Sequence, residues 1–137
     1  MVIDSPTPDP FSPSTKIQRV SVDGAPPAQR YQLVIADADG ESARVILESK
    51  FPLMSPAWSP DGESLAYVSF ETRRAAIYVQ RVRTAERTRV SDRPGVNGAP
   101  AWSPDGRKLA LTLSNAAGNL DVHVLDLQTR EYTRVTD

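Results

Sequence analysis

Short apolar runs rich in Val, Ile, Leu and Tyr follow one another along the chain, each closed by Pro, Gly, Asp or Asn. No apolar stripe recurs at helical spacing, so the pattern predicts strands joined by tight turns. Ile17, Val20 and Val22 open the series, ended by Asp23-Gly24-Ala25-Pro26-Pro27. Strands are then expected at 31–37 and 43–47, with Asp39-Gly40 as a hairpin turn between them. The next stretch predicts four strands, at 54–58, 65–70, 75–82 and 87–91, joined by loops at 59–62, 71–74 and 83–86. Another four follow at 99–102, 108–114, 121–127 and 132–136, with a loop at 115–119.

The series is a repeat. Ala57-Trp58-Ser59-Pro60-Asp61-Gly62 returns as Ala101-Trp102-Ser103-Pro104-Asp105-Gly106, 44 residues later. Leu33, Ile77 and Val122 head equivalent strands, and Ile46, Val90 and Val135 lie in equivalent closing ones. Four short antiparallel strands per ~40–45 residues is the period of a propeller blade. The expected fold is therefore all-β, a β-propeller fragment of about three four-stranded antiparallel blades. Its expected divisions are a Pro-rich flexible tail at 1–15, an incomplete first blade at 16–50, a second blade at 51–94 and a third at 95–137. The tail reading rests on Pro6, Pro8, Pro10 and Pro13, which cannot donate to a ladder. Pro10-Phe11-Ser12-Pro13 faintly echoes Pro56-Ala57-Trp58-Ser59-Pro60, as a decayed inner strand would.

Within the hexapeptide, Pro60 and Pro104 preset a turn dihedral, Asp61 and Asp105 bond back to nearby amides, and Gly62 and Gly106 accept a left-handed backbone. Trp58 and Trp102 are expected to pack where blades meet. These eight residues are read as structural.

Composition removes several functions. A formal charge of −1 with scattered basic residues leaves no footprint for nucleic acid. The chain has no cysteine, so no disulfide framework or thiolate metal site is expected. Its one histidine, His123, falls on a strand face, and no Gly-x-Ser-x-Gly elbow accompanies it. No catalytic, cofactor-binding or metal-binding residues are therefore assigned, and the reading is not an enzyme. No run approaches a membrane span, and the N-terminus shows no basic region ahead of an apolar core.

Residues 53–62, then Leu65-Ala66-Tyr67-Val68-Ser69-Phe70-Glu71, then residues 97–106 resemble the opening blades of the TolB family of β-propellers. The likeness covers about 31–137. It implies an N-terminal α/β domain ahead of a six-bladed propeller, a periplasmic location and work in the Tol-Pal system of envelope integrity and cell division. It also implies binding of the peptidoglycan-associated lipoprotein Pal over the channel mouth, and communication with other Tol proteins. The sequence departs from that plan in showing no α/β domain, no signal peptide and about three blades. Two copies joined head to tail would complete a six-bladed ring, so the expected forms are a homodimer that closes it or an unstable fragment of a longer protein.

The loop between the second and third strands of a blade shares one end with the connection to the next blade. Partner-binding residues are accordingly placed at Glu71, Thr72, Arg73 and Arg74, and at Pro94, Gly95, Val96, Asn97, Gly98 and Ala99. The competing reading is that the glycines serve turn geometry and the arginines solvate a loop. The alternative functions are a propeller fragment without independent function, or the propeller accessory of a hydrolase.

Overall fold

The computed structural model describes residues 2–5, 14–21, 29–36 and 42–136. Among them twelve strands form three antiparallel sheets, each with its strands in sequence order. The first blade holds β1 (Val2–Ser5), β2 (Ser14–Ser21), β3 (Gln29–Ala36) and β4 (Arg44–Ser49). The second holds β5 (Leu53–Trp58), β6 (Ser64–Ser69), β7 (Ala76–Arg81) and β8 (Arg87–Ser91). The third holds β9 (Asn97–Trp102), β10 (Lys108–Ser114), β11 (Leu120–Asp126) and β12 (Tyr132–Arg134). No helix of the described residues is long and apolar enough to cross a membrane.

The first blade corrects the expectation of a tail at 1–15 and of a missing first strand. Val2–Ser5 pairs antiparallel with β2, placing Val2 opposite Gln18 and Ser5 opposite Thr15. Val2 and Ile3 precede the first proline, so nothing interrupts their ladder. Ser14 and Thr15 belong to β2, and the buried Thr15 hydroxyl donates to the Val34 carbonyl at 3.0 Å. The 10–13 echo, the 23–27 loop and the Asp39-Gly40 turn lie outside the described residues.

Strand β6 shows how blades stack. Leu65 and Tyr67 join a cluster with Ile17, Leu33 and Ile35 of the first blade. Their alternate neighbours Ala66 and Val68 join Leu109, Leu111 and Leu113 of the third. Side chains alternate across a strand, so β6 is buried on both faces because a blade covers each. Strand β10 is buried on one face only: its three leucines are at most 2% exposed while Ala110, Thr112 and Ser114 are half-buried. Each such leucine contributes about 1.5–3 kcal/mol on burial.

Hydrogen bonds also tie neighbouring blades together. The Trp102 indole N–H of the third blade donates to the Ala57 carbonyl of the second at 2.9 Å. The Trp58 Nε1, also buried, has no partner among the described residues. Gln80, fully buried, donates from Nε2 to the Ile46 carbonyl of the first blade at 2.8 Å. Outer strands meet through the Tyr132 hydroxyl, which donates to Ser91 Oγ at 3.0 Å.

Both Ser-Pro-Asp-Gly corners close identically. The Ser59 hydroxyl and the Glu63 amide donate to Asp61 Oδ1, and the Ser64 amide donates to Ser59 Oγ. Ser103, Arg107, Lys108 and Asp105 repeat the arrangement. These donors, the serine hydroxyl foremost, hold both aspartates below the usual carboxylate range. Gly62 and Gly106 take φ of 72° and 73°, which a side chain would oppose.

One shared irregularity was not legible. Ser55 and Ala99, 44 residues apart, both have positive φ (55° and 49°) and each precedes a proline. Each marks a register shift of the innermost strand against its neighbour, the bend a β-bulge produces.

Candidate interaction face

The 71–74 loop is anchored from below. Glu71 accepts from Ser69 Oγ at 3.0 Å and forms an ion pair with Arg87. Arg87 Nε donates to the Tyr67 hydroxyl at 2.7 Å, which in turn donates to Gln80 Oε1 at 2.8 Å. The guanidinium lies 4.4 Å from the Tyr78 ring centroid, and the two tyrosine rings stack at 6.1 Å. Burial pushes the Tyr67 phenol up to about 12, so it stays a neutral donor. Burial of Arg87 opposes its charge, yet the Glu71 carboxylate and the Tyr67 hydroxyl together outweigh this and hold its pKa above the ordinary value. Glu71 therefore supports the loop from inside. Thr72, Arg73 and Arg74 are the exposed members, with Arg73 at φ 69° and its amide donating to the Phe70 carbonyl.

The hydrogen bonds from Arg87 hold the Glu71 carboxyl below its ordinary 4.5, against the opposing effect of burial. Since the folded pKa is the lower one, this contribution is complete above about pH 4.5 and is lost as pH falls through the folded value. Glu71→Gln is expected to flatten the loss of stability below that pH, read from denaturant midpoints at neutral pH and at about pH 3.5. An unchanged acid slope contradicts the pairing.

The connection between the second and third blades is built around Asn97. This side chain is 1% exposed. Its Nδ2 donates to the carbonyls of Ala75, Arg93 and Gly95, and its Oδ1 accepts from Ser91 Oγ. The bond to Ala75 ties this connection to the end of the 71–74 loop. Ser114 clamps Val96 from both sides: its Oγ accepts the Val96 amide at 2.8 Å, and its own amide donates to the Val96 carbonyl at 3.2 Å. Gly95, at φ 90°, lies so close that a Cβ there would meet Ser114 Oγ at 2.0 Å. Arg93 stacks over the Tyr132 ring at 4.9 Å, and Arg89 pairs with Asp92 at 3.4 Å.

The sequence-predicted residues thus divide. Asn97, Gly98 and Ala99 lie on β9 and not in a loop, because the bulge at Ala99 lets the ladder continue to Asn97. Asn97 is a buried hub, while Pro94, Gly95, Val96 and Ala99 are exposed and Gly98 is half-buried. Sequence reasoning missed Ser91, Ser114, Tyr132 and Arg87. One signal existed: Asn97 stands where the preceding repeat has Leu53, and a polar residue at a core position needs partners.

At the same end, the 115–119 loop is a self-contained turn. Asn115 Oδ1 accepts the amides of Ala117 and Asn119, and Asn115 Nδ2 donates to Asp121, which also pairs with Arg134 at 3.0 Å. His123 is half-buried on β11, opposite Leu111 and Arg134. Among the described residues no three His, Cys, Asp or Glu side chains converge to hold a metal.

The family model described as the TolB β-propeller domain matches residues 10–137. The Tol-Pal system protein TolB of Methylococcus capsulatus is 53% identical over 93 residues, covering 68% of this chain and 22% of that protein. The crystal structure of TolB from Acinetobacter baumannii superposes with a TM-score of 0.78 at 44% identity, covering 95% of this chain and 32% of that one. The AtxE2 isopeptidase superposes at TM-score 0.77 with 15% identity, over 97% of this chain and 28% of that one, a likeness of fold alone. The chain spans about a fifth of the length of the curated relatives it matches. With its repeat, its blade build and a family match over most of its length, the chain belongs to the TolB β-propeller family.

Proposed function

We propose that the chain is a non-catalytic recognition module of the periplasmic Tol-Pal system, and that it binds Pal through the face made by the 71–74 loop and the 92–99 connection. The observation that carries the reading is the construction of that connection. Its exposed residues sit on backbone fixed by Asn97 and Ser114, so little ordering entropy is lost on binding. The names of the relatives, Tol-Pal system proteins, supply the choice of partner. Thr72, Arg73, Arg74, Pro94, Gly95, Val96, Gly98 and Ala99 make the contacts, and Glu71 and Asn97 hold them in place.

Calorimetric titration with purified Pal tests this. Replacing 93–96 by a Gly-Ser linker of equal length, leaving Asn97 in place, is expected to weaken binding at least tenfold with a nearly unchanged unfolding midpoint. Parallel losses in affinity and stability would sink the assignment.

A second copy of the chain is the further partner in this reading, closing a ring head to tail. Val122 and Val135 are 37% and 60% exposed, although their repeat equivalents Ile77 and Val90 are covered by the third blade. Light scattering is expected to give twice the chain mass at tens of micromolar; a monomer at every concentration removes the dimer from the proposal.

A further inference from the structure

The fold does not require glycine at position 98. Its φ lies outside the left-handed region, and a Cβ built there would meet only Val96 Cγ1, at an ordinary 3.9 Å. Gly95 is the contrast, with a φ of 90° and no room for a side chain. Gly98 follows the buried Asn97, and together they are the chain's only Asn-Gly step.

That step carries a reaction. The Gly98 backbone nitrogen attacks Asn97 Cγ, closing a five-membered succinimide; the Cγ–Nδ2 bond breaks, and Nδ2 leaves as ammonia with the proton given up by the attacking amide. Water then opens the ring at either carbonyl, leaving aspartate or isoaspartate, and nothing is oxidised or reduced. Glycine favours the attack because no side chain shields its nitrogen and its backbone turns freely.

In the closed fold the attack is blocked. Asn97 Nδ2 is held by the carbonyls of Ala75, Arg93 and Gly95, and its Oδ1 by the Ser91 hydroxyl, so the side chain is tied away from the amide that follows it. Asn97 and Gly98 stand opposite Leu113 and Thr112. The register shift between Ala110 and Thr112 separates these two pairs from those of Ala101 and Trp102. The start of β9 therefore has its own short ladder, which opens while the rest of the strand stays paired.

Reaction in the open state prevents the former closure. An aspartate at 97 offers only acceptors to three carbonyls, and burying its charge there without a donor is costly. Isoaspartate also lengthens the backbone by one carbon and spoils the register with Thr112.

We propose that Asn97-Gly98 is a site of spontaneous deamidation, gated by local opening of the connection between the second and third blades, and that the reaction makes this opening permanent. The proposal does not depend on the Pal reading.

Mass-spectrometric peptide mapping of the whole chain, after incubation in warm, mildly alkaline buffer, tests it. The folded parent is expected to deamidate at 97 at least tenfold more slowly than the same chain unfolded in urea. Ser114→Ala, which removes the acceptor of the Val96 amide, is expected to speed the folded reaction several-fold. Urea below the unfolding transition should leave the parent's rate unchanged, since a local opening exposes little surface. Gly98→Ala is expected to slow the reaction in the unfolded chain while keeping the unfolding midpoint nearly unchanged. Product recovered from urea and refolded should unfold at lower denaturant than the parent, as should Asn97→Asp. Equal rates in the folded and unfolded chain, or no gain in Ser114→Ala, would show that the connection does not gate the site. A rate that climbs from the first addition of urea would make the opening global, and a product as stable as the parent would show that closure survives the reaction. Any one of these overturns the proposal.

Discussion

Ile77→Ala is expected to lower the unfolding free energy by about 3–4 kcal/mol, whereas Val122→Ala at the equivalent position of the next repeat costs less than about 1 kcal/mol. Ile77 is fully buried against the leucines of β10, and its removal leaves a cavity that two flanking sheets cannot close. Val122 occupies the same strand position with 37% exposure, on the face that no blade of the chain covers. The comparison holds fold and register constant and varies only whether a neighbour is stacked on the strand. Chemical denaturation of the two variants beside the parent reads it, and equal losses would mean that the blades do not pack as described.

Arg87→Ala is the second large effect, expected to cost about 2–3 kcal/mol after allowance for the partial exposure of the pair. One side chain holds Glu71, donates to the Tyr67 hydroxyl and lies over the Tyr78 ring. Its loss strands a half-buried carboxylate and uncovers the tyrosine pair beside the interface between the first and second blades. Arg87→Met keeps most of the aliphatic packing and removes only the charge. It should recover less than half of the loss, because the unpaired Glu71 remains. A stability within about 0.5 kcal/mol of the parent for Arg87→Ala would show that the network is ornamental.

How far the sequence could be read follows from what each feature depends on. The blade repeat was legible because turn chemistry is local. Ser-Pro-Asp-Gly specifies its corner through bonds spanning five residues or fewer, and two copies at blade spacing give the period. Strand β1 was hidden by the prolines that follow it. The bulges at Ser55 and Ala99 were hidden because neither residue advertises a left-handed backbone as glycine does.

The proposed interaction face is legible as a set of loops but not as a division of labour. Glu71 and Val96 look alike as loop residues in a string of letters. Only the fold brings Arg87 onto one and leaves the other open. Asn97 and Leu53 share a repeat position, and that mismatch pointed to a polar hub without naming its acceptors.

The most direct test of the proposed Pal site is the amide hydrogen-exchange footprint of Pal on this chain. Binding at the proposed face gives slowed exchange at 72–74 and 93–98, with no change at the Ser-Pro-Asp-Gly corners of 59–62 and 103–106 on the opposite end of the blades. Protection centred on those corners, or no protection in the presence of saturating Pal, would contradict it.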